Sequence, residues 1–219
     1  MLTLYGVYRS RASRPLWLLH ECGAPFRHVP VIQAYRLADP HAPDAPSNTA
    51  SPEFLRINPQ GQIPAMTEDD LLLTESLAIA LHIARRHGGA LGPADAAEDA
   101  RMVNWALAAA TGIEPHAIAI LYTHAEGRAE TTEGRAGIAA ARAALERPLG
   151  RIEAHLEGRD WLEGGRFTVA DIMVAECLRY AQPEAGVFDA TPRLADWIAR
   201  CQARDGFAAM MAGRAAEPA

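Results

Sequence analysis

Over the first third of the chain, short apolar runs alternate with helical ones, the rhythm of a sheet with helices packed on it. Leu2 to Tyr5 reads as a strand. Arg14 to Cys22 (RPLWLLHEC) gathers Leu16, Trp17 and Leu19 on one helical side, tolerates Pro15 in its first turn and stops at Gly23. A second strand is predicted around His28 to Ile32. Residues 33–52 are dense in Ala, Asp, Pro and Ser and too interrupted by proline for a regular element, so a loosely ordered loop is expected there. After a helical turn at Phe54 to Ile57 comes NPQGQIPAMTEDDLLLTES. It reads as a Pro/Gly turn, a strand at Ile63 to Thr67, an acidic turn at Asp69 and Asp70, and a strand at Leu71 to Leu73, together a hairpin. The helix Glu75 to His87 then turns Leu77, Ile79, Ala80, Leu81, Ile83 and Ala84 inward and ends on Gly88-Gly89.

From Gly92-Pro93 onward strand signals disappear and Ala-rich helical patterns take over, which sets a boundary near residues 88–94. At 219 residues the chain suits two unequal parts. The fold class is therefore α/β plus all-α: a sheet-containing N-terminal domain over 1–87, followed by an all-helical bundle over 93–219. Charge respects the same boundary. Residues 1–86 hold eight Arg against eight acidic groups and the remainder thirteen against nineteen, so the helical part carries the whole net charge of -6.

Composition removes several kinds of chemistry. All 21 basic residues are Arg, so a P-loop lysine, a Schiff-base lysine and a Ser-Lys dyad are excluded. A negative chain with dispersed arginines does not suit nucleic acid, which needs clustered positive charge. Cys22, Cys177 and Cys201 are odd in number and widely spaced, without a CxxC pair, which fits a reducing, cytoplasmic compartment better than a disulfide framework or zinc knuckle. No run of signal-peptide or membrane-span length is present. The eight His show no ligand spacing, so no metal is expected, and neither GxSxG nor GxGxxG occurs.

Three segments carry candidate chemistry. In Gln62-Ile63-Pro64-Ala65, a proline at the start of a strand and inside a tight turn suits a cis bond, which would turn the Ile63 backbone outward toward an extended, peptide-like ligand; a plain start of a hairpin uses the same residues. In Leu73-Thr74-Glu75-Ser76 the chain passes straight from strand to helix, so the first helical N–H groups and the Ser76 hydroxyl form a carboxylate site. Glu75 beside it could hold an ammonium, and the pair would match an α-amino acid end; an ordinary helix cap has the same composition. The loop Tyr8 to Arg14 brings hydroxyls and a helix start to one place, where an anion such as a thiolate is stabilised. One hydroxyl hydrogen bond to a charged acceptor, about 1.5–3 kcal/mol, plus a helix terminus suffices to lower a thiol pKa by about two units. Ser10 and Ser13 serve equally as helix caps.

Taken together and in order, LYGVYRSRASRPLWLLHECG, NPQGQIPAM, LTESLAIALHIAR and RFTVADIMVAECL resemble a cytosolic-type bacterial glutathione S-transferase. The resemblance implies a thioredoxin-like N-terminal domain that binds glutathione as co-substrate, a helical domain that supplies the site for a small electrophile, a homodimer, and a role in detoxification. It implies that Ile63, before Pro64, pairs with the cysteinyl backbone, that Gln62 approaches the glycyl end, and that Glu75 and Ser76 take the γ-glutamyl group. For the thiol it implies a serine-type site with Ser10, against rivals Tyr5 and Ser13. Where the family often has a basic residue, this chain has Gln62, so the glycyl carboxylate is expected to rely on Arg14 or His41. Tyr8, Trp105 and His116 are candidates for the electrophile pocket, although aromatic residues at helical spacing also serve as core. Phe167-Thr168-Val169-Ala170-Asp171 is a capping box with a folding role, and Cys22 is expected on the buried side of its helix and inert. The rival readings are a glutathione-dependent oxidoreductase or isomerase on the same fold, which the missing cysteine after the first strand opposes, and a non-catalytic dimerisation module.

Overall fold

In the computed structural model, which describes residues 1–217, strand β1 (Thr3–Tyr5) pairs in parallel with β2 (Arg27–Val29) and antiparallel with β3 (Ala65–Glu68), and β3 pairs antiparallel with β4 (Leu71–Thr74). The spatial order is β2-β1-β3-β4. Register places Tyr5 beside Val29 and Ala65, and all three belong to a cluster around Phe54 and Val31 on one face of the sheet. By alternation Leu4 and Met66, both fully buried, point to the other face. Helices α1 (Ser13–Cys22) and α3 (Ser76–His87) pack on each other, and the short α2 (Pro52–Leu55) supplies Phe54. The result is a thioredoxin-like arrangement of a small mixed sheet and helices, followed by an all-helical part.

Three expectations change. Strand β2 stops at Val29 rather than Ile32, because Pro30 has no N–H for the ladder; Ile32 instead makes a lone bridge with Asn48. Strand β3 begins at Ala65, so Ile63 lies outside the ladder. Residues 33–52, expected to be loosely ordered, are held by hydrogen bonds. Asn48 is buried and donates from Nδ2 to the carbonyls of Pro40 and Pro46, and Thr49 Oγ1 accepts from Ala34 N–H.

The chain divides into two units by contacts: Met1–Gly89 with the segment from Asp205 onward, and Ala90–Arg204. The last helix, α9 (Asp205–Ala216), therefore belongs to the sheet-containing unit, whereas the sequence pattern alone places everything from 93 onward in the helical part. It lies along α1 on glycines seven residues apart. A Cβ at Gly206 would meet the Glu21 side chain at 2.5 Å, and one at Gly213 would meet Tyr8 Cζ at 2.6 Å. Beside Gly206, Phe207 meets Trp17 edge-on, ring centroids 4.9 Å apart.

The helical unit contains α4 (Ala96–Ala108), a π-helical turn (Ala109–Ile113), α5 (Glu114–Ala125), α6 (Thr132–His155), α7 (Val169–Leu178) and α8 (Pro192–Gln202). Helix α7 is buried along its length and begins at the capping box the sequence announced, Thr168 with Asp171. Asp171, 0% exposed, accepts hydrogen bonds from Leu162 N–H, Thr168 N–H, Thr168 Oγ1 and Trp197 Nε1. Among the described residues no helix is long and apolar enough to cross a membrane.

Candidate active site

Gly6 follows β1 with φ 141°, and the close approach there requires glycine: a Cβ would lie 3.0 Å from Ala12 Cβ and 3.4 Å from Ile63 Cβ. The loop after β1 is thereby pressed against the Ile63-Pro64 turn. That peptide bond is cis, as the sequence suggested, and the turn is braced by Asn58, a buried residue the sequence reading passed over. Asn58 Nδ2 donates to Gln62 O at 2.7 Å, and its Oδ1 accepts from Gln60 N–H at 3.2 Å. An Asn opening a Pro/Gly turn is the signal that could have found it. Pro64 is buried, Ile63 half-buried and the Gln62 side chain exposed.

At the end of β4, Thr74 leads through Glu75 directly into α3, whose first turn begins at Ser76. Glu75 stands exposed at φ 67° and ψ 111°, a region that L-residues seldom occupy. Ser76 is 4% exposed, and its hydroxyl accepts from Arg14 Nη1 at 2.8 Å. Arg14, read from sequence as a loop arginine near the glycyl carboxylate, is 1% exposed and tied to the Ser76 end of the site. Burying one guanidinium beneath the start of α3 adds positive charge where the helix already presents free N–H groups. We expect Glu75→Gly to stabilise the fold by about 1 kcal/mol, measured by chemical denaturation, because the strain relieved exceeds the entropy glycine adds to the unfolded chain. Glu75→Ala, which keeps the strain, should leave stability unaltered.

The hydroxyl candidates differ in their surroundings. Ser10 is half-buried; its Oγ donates to Val7 O at 2.6 Å and accepts from Ala12 N–H at 3.0 Å. Ser13 opens α1 and is fully buried, so a ligand reaches it only by displacing its neighbours. The Tyr5 ring packs toward Phe54 at 6.4 Å among Val29, Val31 and Ile63. Tyr8, a candidate for the electrophile pocket, is packed instead under α9, with its ring against Gly213 and edge-on to His28. Its hydroxyl shares a hydrogen bond with His20 Nε2 at 3.0 Å. Burial and then the neighbouring His28 lower the His20 pKa, which favours the neutral ring. Burial and then the charge of Glu217 push the Tyr8 phenol up, so it stays protonated.

The remaining candidates are placed as follows. His41 is exposed in a turn closed by its own N–H on Asp39 Oδ1. Trp105 is buried within the helical unit; its Nε1 donates to Glu163, Arg151 lies over its ring at 4.5 Å, and His155 meets it edge-on. Those contacts fit a core position. His116 is half-buried in the first turns of α5, just after the π-helical turn. Cys22, expected to be buried, is half-exposed, with its thiol directed to Leu19 O and its pKa raised by desolvation.

Comparison with known proteins matches this arrangement in both parts. Residues 1–85 fit the family model of the glutathione S-transferase N-terminal domain, and residues 112–205 that of the C-terminal domain. The chain is 30% identical over 205 residues to glutathione S-transferase 1 of Zea mays, covering 90% of this chain and 89% of that one. Among solved structures it is similar to glutathione transferase F7 of Populus trichocarpa, with TM-score 0.79 and 28% identity over 97% and 99% of the two chains. It is also similar to the theta class glutathione S-transferase of Xanthomonas axonopodis pv. citri, solved with glutathione bound, with TM-score 0.73 and 26% identity over 94% of each. With both family domains present in order and a relative matched across most of both chains, this chain belongs to the glutathione S-transferase family.

Proposed function

We propose that this chain binds glutathione on the sheet-containing unit and transfers its thiolate to a small electrophile. The observation that carries the reading is Glu75. A charged residue kept at φ 67° between a strand and a helix is costly, and such strain persists where it aims a side chain at a ligand. In this reading the α3 N–H groups and the Ser76 hydroxyl, which accepts from Arg14 and so has its own proton to donate, hold the γ-glutamyl carboxylate, and Glu75 holds the ammonium. The Ile63 backbone, outside the β3 ladder, pairs with the cysteinyl residue, and Gln62 meets the glycyl end.

The thiol then lies by the loop after β1, where the Ser10 hydroxyl turns its proton from Val7 O toward sulfur. The proton leaves to solvent, the thiolate attacks an electrophilic carbon, an S–C bond forms, and the electron pair passes to the leaving group. Catalysis rests on thiolate stabilisation and proximity. Ser10 is preferred to Tyr5, whose ring is part of a hydrophobic cluster, and to Ser13, which is fully buried. The finer parts of the reading are a serine-type enzyme of the cytosolic, bacterial kind, a cytoplasmic location, and a homodimer, for which the exposed Leu71 and Leu72 on the edge strand β4 offer an apolar surface.

Thermal unfolding with glutathione tests the binding step. At about 100 times its dissociation constant glutathione should stabilise the protein by about 2.7 kcal/mol. Glu75→Ala, an exposed position, should abolish most of that shift without altering the unliganded melting temperature. A wild-type protein that shows no shift at millimolar glutathione would refute the reading.

A further inference from the structure

Helix α9 runs back to the loop between β1 and α1, and the chain just beyond it places a carboxylate there. Tyr8 N–H donates to Glu217 Oε1 at 2.6 Å and Arg9 N–H to Glu217 Oε2 at 2.9 Å. Two further bonds flank them: Arg214 Nη1 donates to Tyr8 O and Arg9 Nε to Arg214 O, each at 3.1 Å. Successive backbone N–H groups that share one carboxylate form a small anion nest, and hydrogen bonds to an ionised acceptor are the strong kind. The residues so held, Tyr8 and Arg9, are the two that separate Val7 from Ser10. Those outer residues are joined by the bond from Ser10 Oγ to Val7 O.

We infer that Glu217 is a positioning residue for thiolate stabilisation: its two carboxylate oxygens, bound to the N–H groups of Tyr8 and Arg9, fix the turn that seats the Ser10 hydroxyl. The inference rests on the reading that glutathione binds at this loop. With Oγ fixed by Ala12 N–H, the hydroxyl needs only to rotate its proton from Val7 O to sulfur, and no backbone has to move. A loop that lost its carboxylate would have to be ordered again in each turnover, and the hydroxyl would spend less time in reach. Electrostatics alone would act in the opposite sense, since a carboxylate near a forming thiolate opposes ionisation. Position and charge can therefore be separated.

The experiment compares wild type, Glu217→Ala and Glu217→Gln in the full chain. It reads the thiol pKa of bound glutathione from thiolate absorbance, kcat and KM with a soft electrophile, and amide exchange at residues 6–12. Glu217→Ala should speed exchange at Tyr8 and Arg9 by about tenfold or more. It should raise the bound thiol pKa by about one unit and lower kcat at neutral pH accordingly, with little change in KM for glutathione. Glu217→Gln, which keeps one acceptor oxygen, loses the charge and sets an amide NH2 against the second backbone donor, should recover part of the loss. An unaltered or lowered thiol pKa in Glu217→Ala would overturn the inference, as would a glutamine variant as impaired as the alanine one. Wild-type protein without a glutathione-dependent thermal shift overturns the binding reading and this inference with it; binding with an unaltered thiol pKa in the variant overturns the inference alone.

Discussion

Asp171→Ala should cost about 3–5 kcal/mol of stability in chemical denaturation, enough to leave much of the protein unfolded at 37 °C. The carboxylate accepts from the N–H groups of Leu162 and Thr168 and the indole of Trp197, all in a fully buried place, and alanine leaves those three donors without an acceptor. The position also has a pH signature. Burial pushes the Asp171 carboxyl up to about 6, and the hydrogen bonds keep it from rising further. Because the folded pKa lies above the unfolded one, the protonated form favours the fold: this contribution is complete below pH 3.8 and is lost as pH rises through about 6. The stability gap between wild type and Asp171→Asn should therefore widen on acidification from pH 7 to pH 5. A gap that stays constant would mean that the carboxyl keeps its charge in the fold throughout.

Glu68 acts with the opposite sign. Burial opposes its charge, but hydrogen bonds from His82 and His87, each 2.7 Å, and the nearby Arg86 hold its pKa below the usual value. Its contribution is present above the ordinary glutamate range and is lost as pH falls through the lowered value. Comparison of wild type with Asp171→Asn isolates the first effect from the second, since both proteins keep Glu68.

Ser10→Ala should raise the pKa of enzyme-bound glutathione by about one to two units, the equivalent of a hydroxyl hydrogen bond to a charged acceptor, and lower kcat at pH 7 by about 10- to 100-fold. Stability should fall by no more than about 1 kcal/mol, because Ser10 is half-buried and water can reach the groups it leaves. The thiolate absorbance of the complex, titrated between pH 5 and pH 10, checks the first figure. An unaltered thiol pKa would transfer the role to Tyr5 or Ser13.

Much of the site was legible in the sequence because the chemistry depends on backbone geometry that particular residues announce. Pro64 after Ile63 marked the cis turn, and Leu73-Thr74-Glu75-Ser76 marked a strand that passes into a helix with only Glu75 between them. What escaped was set by long-range packing. Arg14 sits among polar loop residues in the sequence, and only the approach of α3 to α1 turns it inward to Ser76. Asn48 looked like one more polar residue in a proline-rich stretch, yet its amide links carbonyls that lie two and eight residues away. The return of α9 left a trace, Gly206 and Gly213 on one helical side, but two glycines in a helix also read as weak propensity. The cover over Tyr8 was hidden for the same reason: the helix that supplies it is distant in sequence.

That returning helix makes the sheet-containing unit discontinuous. During synthesis β1 to α3 leaves the ribosome early, but its Trp17 and Tyr8 surface has no cover until the whole helical unit and then α9 have been made. A fragment cut at residue 89 would be missing a wall, so fusion or excision at the apparent boundary between the halves should give an insoluble product. A split after Arg204 would sever the unit just as surely, from the other side.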